Sequence, residues 1–376
     1  MASKNRALFI DMLKGFALIV MIEVHVFNSM LMPELKQSWW WPSLNFINGL
    51  VAPSFSFASG LVFVLSLQKG VDELRKFGKE FWRKFLRIGL IFFVGYSLHL
   101  PYYSLTDIIN NPTQQNLESL FTVDILQLIS TGLIVLMFAR MFFKSEKGFY
   151  NFSLIATLVV LVFSPVVWKY DFSNYMPVLF SNYFNKMHGS LFPLFPWWAF
   201  VFSGAYVAKY YIKAKQNNSE KEFARKLIIL GVSFYLFSVA IMYFLFPAAM
   251  GKIFPNPFFF LERFGLIIFF LGIFWFYLIN KENYSSLILD VSRQSLLVYW
   301  LHLQLIYRDL IGGKSLAGFS QKNYNVIECL VVTIILIGLM MITAKYWGWV
   351  KEKHPAYSKW ITIIVLAGGT IIFIFR

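Results

Sequence analysis

The sequence is poor in several things at once. Cysteine occurs once in 376 residues, at Cys329, so no disulfide within the chain and no thiolate metal cluster can form. Cys329 lies in the apolar stretch CLVVTIIL and reads as an inert buried thiol. Charged residues make up 14% of the chain, against about 25% in a soluble domain, too few to cover a soluble protein of this length. No long Gly/Ser- or Pro-rich linker divides the chain and no internal repeat is evident, so residues 1–376 are expected to form a single transmembrane domain. Motifs are missing as well. Without GxxxxGK[ST], GxGxxG or GxSxG, an ATP-driven pump, a dinucleotide enzyme and a serine hydrolase lose their signatures. Without HExxH, HxxxH or clustered carboxylates, no metal is expected.

What the chain has in excess is apolar and aromatic side chains, 58% and 20% of all residues. They gather in continuous runs such as LIGLMMITA, the pattern of membrane-crossing helices of about 20 residues and not the alternating pattern of a β-barrel. The expected fold is therefore an all-α polytopic membrane protein with about eleven transmembrane helices. The apolar spans fall near 7–32, 44–67, 84–101, 119–140, 149–168, 190–212, 226–247, 258–280, 286–311, 326–346 and 359–375. The first run has no small-residue cleavage site and carries Asp11, Lys14, Glu23 and His25, so it is expected to stay as a helix and not to be cut as a signal peptide.

Basic residues set the orientation. With the N-terminus in the cytoplasm and the C-terminus outside, 25 of the 34 Lys and Arg fall on the cytoplasmic side. That side includes Lys4, Arg6 and Lys14. Acidic residues divide almost evenly, so the whole excess of +15 sits on one face. Topogenesis and anionic lipid account for it at about 1 kcal/mol per residue near the surface, and a basic mouth also suits an anionic nucleotide-bearing donor. Nucleic acid is not expected as a partner, since the basic residues flank helices with no accompanying motif. Trp39, Trp40, Trp41, Trp197, Trp198, Trp347 and Trp349 mark span ends, as interfacial aromatics do.

Ionisable groups within the spans are functional candidates because each is costly there. Asp11 and Lys14, three apart, can share a helix face near the cytoplasmic end, as a pair or as ligands of a donor. Glu23 and His25, two apart, cannot. Of the five histidines, His25, His99 and His302 fall in outer halves of spans and His188 in an outer loop. Asp124, Gln127, Glu262, Arg263, Arg308 and Asp309 share that level, which points to a polar cavity opening outward.

Five segments in order resemble the heparan-α-glucosaminide N-acetyltransferase family and its bacterial relatives. RALFIDMLKGFALIVMIEVH carries Arg6, Asp11, Lys14, Gly15, Ala17 and Met21; NGLVAPSFSFASG carries Asn48, Gly49, Pro53, Phe55, Phe57 and Gly60. FTVDILQLIS adds Asp124, Leu126 and Gln127. GSLFPLFPWWAFVFSG adds Phe192, Pro193, Pro196, Trp197 and Gly204, and SRQSLLVYWLHLQLIY adds Ser295, Leu296, Tyr299 and His302. The resemblance is strongest over residues 6–310. It implies acyl transfer from cytoplasmic acetyl-CoA to a sugar hydroxyl or amine on the outer side of the membrane; a bacterial inner (plasma) membrane is expected from the missing targeting segments and compact loops. A glycan acceptor and a homodimer come from the resemblance alone, whereas contact with membrane lipid is already expected from the apolar runs and the basic face. The family's catalytic asparagine falls on His25, and its loop histidine has no counterpart in MLMPELKQSWWWPSL.

On this reading His25 is the general base or acyl carrier, with Asp124, Glu23 and His302 as catalytic partners. Asp11, Lys14, Arg83, Arg87 and Arg293 would hold acetyl-CoA; Gln127, His188, Trp197, Glu262, Arg263 and Arg308 would bind the acceptor. Lys14 and His25 are about 16 Å apart along a helix, a length an extended pantetheine arm can bridge. The competing reading is a proton-coupled transporter or flippase of a sugar or lipid-linked glycan, with Glu23, His25 and Asp124 as the relay.

Overall fold

The computed structural model describes residues 7–68, 70–100, 104–111, 113–281, 284–309 and 314–375. Lys4 and Arg6 lie outside them. Among the described residues the ordered elements are helices. In chain order they are α1 (Leu8–Met30), α2 (Trp41–Asn48), α3 (Val51–Ser66), α4 (Val71–Arg75), α5 (Lys79–Leu98), α6 (Leu105–Asn110) and α7 (Gln114–Leu120). Next come α8 (Ile125–Phe142), α9 (Glu146–Val167), α10 (Val178–Ser181), α11 (Leu194–Gln216), α12 (Glu220–Val239), α13 (Pro247–Met250) and α14 (Pro257–Leu278). The last five are α15 (Leu287–Arg293), α16 (Ser295–Tyr307), α17 (Leu316–Ser320), α18 (Val326–Lys353) and α19 (Pro355–Phe375).

Seven helical segments among the described residues are long and apolar enough to cross a membrane: the α2–α3 run, α8, α9, α12 with its π-helical extension, α14, α18 and α19. The other four expected spans, 7–32, 84–101, 190–212 and 286–311, coincide with α1, α5, α11 and the α15–α16 pair. That pair is interrupted at Gln294, which leaves helical geometry between them. The span expected from 119 begins later, at Ile125, because Asp124 caps α8.

The chain divides into two compact units, residues 1–52 with 277–376, and residues 53–276. In the first, α1 packs against α15, α16 and α18, and α18 against α19. Asn325 and Glu328 start α18 with reciprocal side-chain to backbone hydrogen bonds of 3.0 and 2.7 Å, a capping box that satisfies donors the first turn leaves open. Lys351 and Lys353 end it, where positive charge complements the helix dipole. Beyond it α19 exposes Ile364, Val365, Ile371 and Ile372, apolar side chains suited to lipid.

In the second unit α11 lies against α8 and α9. Lipid is as apolar as leucine, so helices in it associate through close packing of small residues. The buried face of α11 has that composition, with Ala199, Ser203, Gly204, Ala205 and Ala208. Gly204 meets the Phe57 carbonyl of α3, and Gly60 of α3 meets the Val201 carbonyl of α11. A Cβ built at Gly60 would lie 1.9 Å from that oxygen, and one at Gly204 would lie 2.0 Å from its own.

Candidate functional site

Toward the C-terminal end of α1, His25 meets two residues of α16 that are far from it in sequence. His25 Nδ1 lies 3.1 Å from the Tyr307 hydroxyl, with the phenol ring edge-on to the imidazole. The His25 and His302 rings are 5.3 Å apart between centroids, and Tyr299 stands edge-on to His302. His302 is fully buried. Its Nδ1 is 2.7 Å from the Val298 carbonyl; an oxygen there can only accept, so Nδ1 carries a proton. His25, only partly buried, has one ring nitrogen on a phenol, an arrangement that can take and return a proton.

The backbone around His25 is fixed. Ser29 Oγ donates to the His25 carbonyl at 2.6 Å, and Lys36 Nζ donates to the Asn28 carbonyl at 2.9 Å, the latter an oxygen that the helix end leaves open. Directly beyond lies an open cavity of about 490 Å³ lined by Asn28, Ser29, Tyr307, Ala317, Gln321 and Lys322, within the roughly 300–1,000 Å³ of small-molecule sites. Glu23, half a turn before His25, is hydrogen-bonded by Asn48; Glu23 Oε1 and Asn48 Oδ1 are buried without a hydrogen bond. Arg308, the half-buried C-cap of α16, follows Tyr307.

At the opposite end of α1, Asp11 is buried and accepts from Ser292 Oγ at 3.4 Å. Lys14 is half-buried. Arg293 pairs with Asp290 at 3.4 Å, and the neighbouring Gln294 accepts from Lys351 Nζ at 2.8 Å. Asp11, Lys14 and Arg293 thus all belong to the first unit, one end of α1 being acidic and basic, the other imidazole.

The second unit holds the other expected residues. Asp124 accepts from the Ile125 N–H at 2.6 Å and lies 3.1 Å from His99 Nε2. Gln127 is committed to the same helix start: its Oε1 accepts from the Asp124 N–H and its Nε2 reaches the Thr122 carbonyl. Glu262 and Arg263 pair with each other at 2.7 Å, and the guanidinium lies 3.7 Å from the Phe259 ring centre, a cation–π stack. Trp197 is held edge-on by Phe192 and Phe259; its indole Nε1 is buried without a hydrogen bond. Arg83 pairs with Glu80, and Arg87 is exposed on the same helix. Between them Lys84, which has no motif to mark it, turns inward and donates to the Ser66 carbonyl and hydroxyl at 3.0 Å.

His188 bridges two carboxylates, Asp171 at 2.9 Å and Glu118 at 3.3 Å. The hydrogen bond to Asp171, then that to Glu118, raises the imidazole pKa against the opposing effect of burial. In return His188 and Ser173 draw Asp171 down to about 2. The raised histidine contributes its stability fully below its unfolded value near 6.5 and loses it as pH rises through the folded value; the depressed carboxylate contributes fully above its unfolded 3.8 and loses it toward 2. The bridge is thus strongest between roughly pH 4 and 6.5. The melting temperature of His188→Gln should fall furthest below wild type in that window and converge on it as pH rises through the raised folded-state value. A difference independent of pH would show that His188 acts by packing instead.

Seven helical segments long and apolar enough to cross a membrane define a multi-pass membrane protein, with imidazoles and a phenol gathered toward one end of α1 beside an open cavity. The family model described as heparan-alpha-glucosaminide N-acetyltransferase, catalytic, matches residues 6–244. The chain belongs to that family, and the family implies a membrane acetyltransferase. No curated protein matches the chain. The matched region carries α1 with His25 but stops short of His302 and of the cavity residues Tyr307, Ala317, Gln321 and Lys322. Among the described residues no group of three or more His, Cys, Asp or Glu could hold a metal ion.

Proposed function

We propose that the protein transfers an acetyl group from cytoplasmic acetyl-CoA to a sugar hydroxyl or amine on the outer side of the membrane, with His25 as general base or acyl carrier. The supporting observation is the His25–Tyr307 contact beside an open cavity. In the direct form, the imidazole removes the proton from the acceptor as its oxygen or nitrogen attacks the thioester carbon. The new acyl bond forms, the C–S bond breaks, and the departing thiolate takes a proton to leave as CoA. In the other form the acetyl group rests on the imidazole between donor and acceptor. Tyr307 holds the imidazole in place, and the buried His302 ring beside it fixes the shape of that end of α1. Glu23, beside Asn48, is the remaining catalytic candidate on α1.

Acetyl-CoA would lie with its phosphates toward the Asp11, Lys14 and Arg293 end, and its thioester toward His25. The route along α1 is about 16 Å from Lys14. The acceptor would enter from the cavity, past Arg308.

Purified protein incubated with acetyl-CoA, with and without glucosamine, tests this. Release of free CoA, measured with a thiol reagent, is expected, and faster with the sugar. Folded wild type that neither binds nor consumes acetyl-CoA would favour the transporter, which has no reason to break a thioester.

A further inference from the structure

The cavity beyond His25 has a wall built in an unusual way. Gln321 and Lys322 are consecutive non-glycine residues with φ of +48° and +58°, a conformation that costs about 1 kcal/mol or more per residue and persists only when its surroundings enforce it. The surroundings do. Ser315 caps α17 on one side, the Asn325–Glu328 box starts α18 on the other, and between them Tyr324 pairs with the end of α1. The Tyr324 N–H donates to the Met30 carbonyl at 3.0 Å, and the Met32 N–H donates to the Tyr324 carbonyl at 3.0 Å. The segment is pinned to the helix that carries His25.

This clamp sets Lys322 on the cavity wall close to a second ammonium. Lys36 has its pKa lowered by burial first and by repulsion from Lys322 second. Its Nζ is already directed at the Asn28 carbonyl, and Asn28 lines the same cavity. The nearest acid in the segment, Glu328, is spent on the Asn325 N–H. Two like charges brought together beside a cavity repel each other until an anion lies between them.

We propose that this cavity binds the acceptor through an anionic group, a carboxylate or a phosphate, held by Lys322 with Lys36 behind it. Gln321 and Asn28 supply amide groups to the sugar, and the Tyr307 hydroxyl marks the side where transfer occurs. The anion is carried either on a soluble acidic sugar or on a lipid headgroup. The inference deepens the acetyl-transfer reading and rests on it for the meaning of the site, but its test needs no acyl donor, so loss of turnover and loss of anion preference are separate results.

The probes are glucose 6-phosphate, glucuronate and uncharged glucose, titrated calorimetrically into the purified full-length protein. Wild type should bind the two anions about tenfold or more tighter than glucose, the worth of one charge-assisted hydrogen bond. Lys322→Asn, a residue that tolerates the left-handed backbone, should erase the difference, and Lys322→Arg should restore it. Melting curves of both variants establish that the fold survives. Repeating the titration in bilayers of phosphatidylcholine and of phosphatidylglycerol separates the sources: a soluble acceptor is bound equally in both, whereas a headgroup site is emptied of glucose 6-phosphate by phosphatidylglycerol. Equal affinity for glucose and its phosphate in wild type, or a preference that survives in folded Lys322→Asn, overturns the proposal.

Discussion

His25→Ala is expected to lower acetyl transfer by roughly 10²–10⁴-fold, the usual worth of a positioned general base, while acetyl-CoA still binds. The expectation follows from where the imidazole stands. It is partly open, one nitrogen meets the Tyr307 hydroxyl, and the cavity wall begins with that phenol and with Asn28 and Ser29 of the next turn. The donor's phosphates are assigned to the other end of α1, so truncation at His25 should separate the two parameters, with kcat falling and donor affinity holding. CoA release at saturating acetyl-CoA, together with equilibrium binding of the same donor, measures both. If binding and turnover fall together, His25 supports the helix and does not carry the reaction. His302 is a weaker candidate for direct contact with substrate, because it is fully buried and its protonated nitrogen is tied to the Val298 carbonyl.

The second large effect concerns folding. Gly60→Val and Gly204→Val should each abolish recovery of folded protein, and the alanine variants should lower the melting temperature sharply. Each added Cβ would sit about 2 Å from a backbone carbonyl of the facing helix, far inside contact distance, and a carbonyl cannot rotate aside as a flexible side chain can. The helices must separate, losing the small-residue contact on which membrane helices depend. Overpacking of this kind costs about 1–3 kcal/mol where neighbours can shift, and more here because both opposing groups are backbone. Thermal melting in detergent, followed by size-exclusion chromatography, reads the outcome. Alanine variants as stable as wild type would mean that α3 and α11 can move apart freely.

Much of this was legible in the sequence, for identifiable reasons. The helices announce themselves through continuous apolar runs. The start of α8 is also written locally, since Asp124 and Gln127 stand three apart at the head of an apolar run, the spacing of a capping box. Those two residues could equally be read as chemistry, and the structure puts Asp124 on His99 and on the helix start. The meeting of His25 with His302 and Tyr307 was only half visible. Apolar spans place both histidines at one depth, but which helices adjoin depends on packing between segments 277 residues apart, which no local pattern records. Tyr307 carries no signal of its own among so many aromatics, nor does Lys84 between two outward-facing arginines. The four spans outside the set of seven are those whose polar residues or breaks dilute the apolar signal, as Asp11, Lys14 and Glu23 do in α1.

The division of the first unit has a consequence for how the protein is made. Residues 1–52 and 277–376 belong to one compact body, yet 224 residues separate them in the order of synthesis. At about 5–20 residues per second, α1 leaves the ribosome roughly thirteen to fifty seconds before α15 can reach it. During that interval neither the Asp11–Ser292 contact nor the His25–Tyr307 contact can form. The site is therefore assembled only when the last part of the chain arrives.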